Sequence, residues 1–169
     1  MVWCIYYARH LGVLALEMRY TRQYDKTSCG PVALVNALKW AGMKVPWRDS
    51  KQHWIKLTRC RNGTSPQDLN IAIRQYFPNA RRIKPHIRKI ERHLKNGGGI
   101  IIHVMGKNPR FNHWAFLDSV SPNGQVFGVV NFYKSAPARH GLFRKDLISY
   151  LRSRAIFEPW LLLKEDLNA

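Results

Sequence analysis

Apolar residues follow two patterns along this chain. Up to about residue 96 they recur every three or four positions, separated by polar stretches, the period of a helix with one buried face. After Gly99 they run together or alternate, as in strands. The first pattern predicts a helix over 29–41, with Leu34, Leu38, Ala41 and the neighbouring Val35 as its buried stripe. Pro31 suits a helix start, where a missing N–H costs nothing, and Gly42 suits its end. A short helix is expected over Ser50–Leu57. Ser65-Pro66-Gln67-Asp68 is a strong helix start, with Ser65 as cap, Pro66 in the first turn and Asp68 as the acidic partner, and the helix should run to about Tyr76. Another helix is expected from Pro85, with Ile87, Ile90 and Leu94 on one face, until Gly97-Gly98-Gly99 breaks it.

The second pattern predicts strands at Ile100–Met105, His113–Val120 and Gln125–Tyr133, the last two joined by the turn Ser121-Pro122-Asn123-Gly124. Residues 134–141 read as a basic loop, Asp146–Arg154 as a helix, and Ala155–Leu163 as a last strand or packed tail. Residues 1–22 carry aromatic and β-branched runs that suit one or two strands, or a short helix and a strand. A helix-rich half followed by a strand-rich half is an α+β arrangement, and 169 residues without linker or repeat suit a single domain over 1–169.

Charge changes the picture. Lys and Arg total 28 against 10 acids, a net charge of +18, which draws polyanions: nucleic acid, an anionic membrane or an acidic protein. The densest run is Arg81, Arg82, Lys84, Arg88, Lys89, Arg92 and Lys95, the best local candidate for a phosphate-binding face, although such runs are commonly just solvated surface. No apolar run approaches the roughly 20 residues of a bilayer span. The N-terminus lacks the marks of a signal peptide, and the small size, basic charge and few cysteines suit a reducing interior, so a cytoplasmic setting is expected, bacterial or, for a phage-encoded chain, that of the host. Three cysteines, Cys4, Cys29 and Cys60, form no disulfide framework, and neither they nor the histidines have zinc spacing; no metal or cofactor is expected.

The candidate chemistry centres on Cys29. A thiol at a helix N-terminus faces unpaired N–H groups that favour the thiolate. Read alone, the stretch is more readily a core helix that begins with a buried Cys. Later residues supply what a thiol nucleophile needs. His113 opens a strand after a loop, and Asn131 lies on the next strand, where a hairpin turning near its midpoint sets the two side by side. Gln23, six residues before Cys29, could donate to an oxyanion together with the Cys29 N–H. Asp118 is five residues along from His113 on the opposite side of the strand and cannot orient that ring. His103, in an apolar strand, reads as a core histidine, and Cys60, between Arg59 and Arg61, as a structural or incidental thiol.

The order Gln23…Cys29-Gly30…His113…Asn131, with Gly63-Thr64-Ser65-Pro66 before the second motif helix and His113-Trp114 opening an apolar strand, resembles the papain-like cysteine peptidases. The closest resemblance is to the bacteriocin-processing, double-glycine leader peptidases and their stand-alone relatives, over about residues 20–135. The resemblance implies a papain-like fold, with the Cys helix packed on an antiparallel sheet. It implies a protein or peptide substrate, with Cys29 as nucleophile, His113 as base and then acid, Asn131 as its orienter and Gln23 as oxyanion donor. Where leader peptidases carry Asp-Pro, this chain has Asn131-Phe132. The same chemistry would serve deamidation or transamidation. A different class of function is a polyanion-binding module on the same scaffold.

Overall fold

The computed structural model describes residues 20–105, 112–131, 138–152 and 159–168. The expectations for residues 1–19, and for the loops and tail that fall between these segments, lie outside them. The helices are α1 (Cys29–Trp40), α2 (Trp47–Leu57), α3 (Pro66–Tyr76), α4 (Ile87–Lys95) and α5 (Arg144–Arg152). The strands are β1 (Arg81–Arg82), β2 (Gly99–Met105), β3 (Asn112–Val120), β4 (Val126–Val130), β5 (Arg139–Phe143) and β6 (Trp160–Leu162), followed by a 3-10 turn over Lys164–Asn168. Among the described residues every pairing is antiparallel, in the order β1-β6-β2-β3-β4-β5.

Alternation along the strands sorts the core into two layers. Ile101, Trp114, Phe116, Val130, Trp160 and Leu162 face α1, α2 and α3. Ile100, Ile102, Ala115, Leu117, Phe127, Val129 and Leu142 face the opposite way, against Ile90 and Leu94 of α4 and Leu147 of α5. The sheet is therefore the middle of three layers. α1 was expected to bury one stripe. Instead it is buried along nearly its whole surface, Lys39 being the exception, because α2, α3 and the sheet close around it. A helix with no charge before Lys39 and two alanines, Ala33 and Ala37, tolerates that placement.

Capping works as the sequence suggests at α3. The Ser65 hydroxyl accepts from the Asp68 N–H at 3.1 Å and donates to its carboxylate at 2.7 Å. The Gly-rich break after α4 has a second use. A Cβ at Gly98 would lie 2.2 Å from the His93 ring, which needs that space to reach the carbonyls of Gly99 and Leu162 at 3.2 and 2.9 Å.

Two short strands differ from expectation, and the expected last strand is placed by its partners. Arg81–Arg82, read as part of a basic run, is an edge strand on β6. Arg139–Phe143, read partly as a basic loop, pairs with β4 along its whole length. Trp160–Leu162 lies inside the sheet, between β1 and β2. The basic helix begins at Ile87 and not at Pro85, so Lys84 precedes it and does not share its face. Among the described residues no helix is long and apolar enough to cross a membrane.

Candidate active site

Cys29 is the first residue of α1 and is 6% exposed. Ser28 makes no side-chain cap there. The turn is held by Asp25, whose carboxylate accepts from the N–H groups of Thr27 (2.9 Å) and Ser28 (2.7 Å) and from the Ser28 hydroxyl (2.8 Å). Lys51 lies 3.1 Å from the same carboxylate. Partial burial pushes Asp25 up, but the Ser28, Thr27 and Lys51 contacts outweigh it and hold the carboxyl well below the usual carboxylate range. Asn36, one face of α1 further on, clamps the preceding segment: it accepts from the Thr21 N–H at 2.7 Å and donates to the Thr21 carbonyl at 2.9 Å. The chain from Thr21 to Cys29 is thereby fixed against the helix it leads into.

The second residue of α1 must be glycine. A Cβ on Gly30 would lie 2.5 Å from both Cβ and Oγ1 of Thr64. The Thr64 carbonyl in turn accepts from the Trp114 indole at 3.0 Å. Thr64 thus sits between the Cys29 helix start and β3.

His113 and Asn131 meet across β3 and β4. The His113 Nε2 is hydrogen-bonded to the main-chain carbonyl of Asn131. A carbonyl only accepts, so Nε2 carries the proton and Nδ1 is the basic nitrogen of the neutral ring. The ring was expected to meet the Asn131 side chain, but that side chain points elsewhere. Its Oδ1 accepts from the Gln23 N–H at 2.9 Å, and its Nδ2 donates to Gln23 Oε1 at 3.3 Å. Asn131 adopts φ +56, a left-handed conformation that Asn tolerates better than most residues. Its own N–H donates to the Ala138 carbonyl at 2.7 Å. Gln23 is 4% exposed, and its Nε2 donates to the Asp25 carbonyl at 2.8 Å, which commits one of two N–H groups.

The backbone N–H of Trp114, next to His113 in the chain, faces the Cys29 sulfur. The helix start was expected to depress the Cys29 thiol. The balance runs the other way: burial raises it, the N–H groups of Trp114, Gly30 and Cys29 oppose that, and the neighbouring Cys60 raises it further. At rest, burial therefore favours the neutral thiol at Cys29. Cys60 is the neighbour that sequence separation hid. It is buried, unbridged, and donates to the Thr27 carbonyl at 3.2 Å, on the loop that leads to Cys29.

Two other residues stand where the sequence suggested. His103 is 5% exposed with its ring 4.4 Å from that of Trp114; burial and the nearby His113 lower its pKa to about 4. Asp118 accepts from Arg139 at 2.5 Å and from the Tyr20 hydroxyl at 2.9 Å, bonds that tie β3 to β5 and to residue 20, away from the His113 ring. The cations Arg81, Arg82, Lys84, Arg88, Lys89, Arg92 and Lys95 are all exposed. Lys95 pairs with Glu91 at 2.9 Å, and the Arg82 guanidinium lies over the Trp160 ring at 5.6 Å. A hollow of about 210 Å³ lined by Pro66, Gln67, Asn70, Ile71 and Arg82 contains none of Gln23, Cys29, His113 or Asn131. Among the described residues no group of three or more His, Cys, Asp or Glu side chains could hold a metal ion.

A buried Cys at the start of α1, packed on an antiparallel sheet with His113 at the second position of β3, is the fold of papain-like, C39-like peptidase domains. Solved structures that share it include two bacterial peptidase domains. One is the peptidase domain of Streptococcus ComA, a bi-functional ABC transporter involved in quorum sensing, at 18% identity and TM-score 0.64, covering 84% of this chain and 96% of that one. The other is a C39-like peptidase from Bacillus anthracis, at 11% identity and TM-score 0.65, covering 87% of this chain and 94% of that one. No family model matches the sequence, and no curated protein matches it.

Proposed function

We propose that this protein is a thiol peptidase, with Cys29 as nucleophile, His113 as general base and then acid, and Gln23 with the Cys29 N–H as the oxyanion site. The observation that supports it most is the His113–Asn131 main-chain contact, which assigns the proton to Nε2 and leaves Nδ1 as the base. In this reading His113 Nδ1 takes the Cys29 proton as sulfur attacks the amide carbonyl carbon. The raised Cys29 pKa fits a proton that leaves during attack and not before it. The oxyanion forms beside the uncommitted N–H of Gln23 Nε2. His113 then protonates the leaving amine, the C–N bond breaks, and a thioester remains on Cys29. Water adds to the thioester with His113 taking its proton, which releases the acid and restores the thiol.

Incubation with a panel of internally quenched peptides tests this. Cys29→Ala and His113→Ala should abolish cleavage, and Gln23→Ala should slow it by about 10²–10³-fold. Cleavage that persists in Cys29→Ala sinks the assignment. Mass analysis of products separates hydrolysis from deamidation or transamidation, since each leaves a different mass on the acyl half.

A second reading concerns the charge. The seven exposed cations from Arg81 to Lys95, on a chain of net charge +18, favour an anionic partner, and phosphate-rich nucleic acid is the one proposed. Binding to duplex DNA or RNA should weaken with salt at a slope near −0.9 per phosphate neutralised. Absence of binding at about 50 mM salt rejects it, and a nuclease-resistant pulldown would point to an acidic protein instead.

A further inference from the structure

We infer that the Asn131 side chain is a positioning group for the oxyanion donor and not for the histidine, an inference that rests on the peptidase reading above. Asn131 has two polar ends with separate partners. Its main-chain carbonyl takes the His113 Nε2–H. Its side-chain amide is spent on Gln23, 108 residues earlier in the chain, gripping both the Gln23 N–H and its Oε1.

The grip decides which way the Gln23 amide points. A terminal amide torsion is broad and close to two-fold, so an unrestrained Gln presents oxygen or nitrogen to a site almost equally. Here Oε1 faces the Asn131 Nδ2 donor, and Nε2 faces the Asp25 carbonyl, which only accepts. Turning the amide over would set N–H against N–H at one end and oxygen against oxygen at the other. The second Nε2–H therefore has a fixed direction, which is what an oxyanion donor requires. Both side chains are 4% exposed, so water does not compete for these contacts. The left-handed backbone at Asn131 serves both tasks, since it lets one residue present its carbonyl to β3 and its side chain to the loop before α1.

Asn131→Gly is the informative variant. Glycine takes φ +56 without strain and keeps the carbonyl for His113, so only the amide is lost. Three readouts divide the possibilities. Peptide hydrolysis should fall by about 10²-fold or more, as for Gln23→Ala, because the oxyanion donor is misdirected. Alkylation of Cys29 by iodoacetamide develops no oxyanion and depends on the thiol and His113; its rate and pH profile should stay within about twofold of wild type. The double variant Gln23→Ala/Asn131→Gly should be no slower than Gln23→Ala alone, since both act through one group. A fourth readout needs no substrate: the Gln23 side-chain amide protons, slow to exchange in wild type, should exchange freely in Asn131→Gly while the His113 resonances hold their positions.

A shifted alkylation profile, a multiplied loss in the double variant, or unchanged Gln23 exchange would each overturn the inference and return the Asn131 side chain to the histidine. These outcomes are distinct from failure of the peptidase reading, which shows as cleavage that survives Cys29→Ala. If Asn131→Gly does not fold, Asn131→Asp carries the same test. It keeps an acceptor for the Gln23 N–H but sets a carboxylate against Oε1, so hydrolysis should fall while alkylation is retained.

Discussion

His103 gives a prediction whose size follows from its surroundings. The ring is buried against Trp114 and close to His113, and its pKa is lowered from 6.5 to about 4, burial being the larger cause. In the unfolded chain it binds a proton near its ordinary value. Between the two values the unfolded state holds a proton that the folded state refuses, so stability is full above about pH 6.5 and falls as the pH drops towards 4. Each pH unit of that gap is worth about 1.4 kcal/mol, which gives about 2 kcal/mol lost at pH 5 and about 3 kcal/mol once the folded value is passed. That is a large part of the roughly 5–15 kcal/mol that holds a domain together. Urea unfolding followed by tryptophan fluorescence at pH 7.5 and pH 5.0 measures it. His103→Leu removes the titrating ring and keeps an apolar side chain on Trp114. It should lose about 2 kcal/mol less than wild type between the two pH values, whatever its stability at pH 7.5. Equal losses in the two proteins would refute the account.

Three further outcomes are expected. Asn36→Leu strips both partners from the buried Thr21 backbone and should cost about 2–4 kcal/mol in urea unfolding, with faster amide exchange at Thr21 and Gln23. Gly30→Ala forces a methyl against Thr64 and should cost about 1–3 kcal/mol; adding Thr64→Gly, which removes the opposing Cβ, should recover most of it in the same assay. Because the Cys29 thiol is raised in the absence of substrate, its iodoacetamide reactivity should climb with pH to a midpoint above that of an ordinary thiol, and a midpoint below pH 7 would contradict the geometry.

Much of this molecule is legible in its sequence. The ends of α1 and α3 follow from Pro31, Gly42, Ser65 and Pro66, because caps are local chemistry. β2 and β3 follow from apolar runs too long and too β-branched to be turns. The neighbourhood of His113 and Asn131 was foreseeable from the length of the hairpin. The register also includes a bulge between Leu117 and Ser119, which no residue pattern announces. β1 and β5 were hard to read for a common reason: a strand of two residues, or one with a mostly exposed edge pattern, is defined by its partner and not by its own sequence. The site divides in the same way. Residue types are local, so Cys29, His113 and Gln23 could be named. Which atom of Asn131 meets which partner, the burial that raises Cys29, and the approach of Cys60 all depend on segments 30 to 108 residues away.

The position of β6 has a bearing on synthesis. Trp160–Leu162 is made after every other strand of the sheet described here, yet it fills the gap between β1 and β2 and packs Trp160 against Trp114 with ring centroids 5.3 Å apart. While residues 160–162 are still in the exit tunnel, Gly99–Ile101 has an open edge and Arg81–Arg82 has nothing to pair with. The nascent chain can gather the helical layer early, but the sheet beneath the Cys29 helix start closes only when residues 160–162 emerge. A stop codon shortly before Trp160 would therefore remove no residue proposed for chemistry and still leave a chain with an exposed strand edge, prone to associate with its own copies.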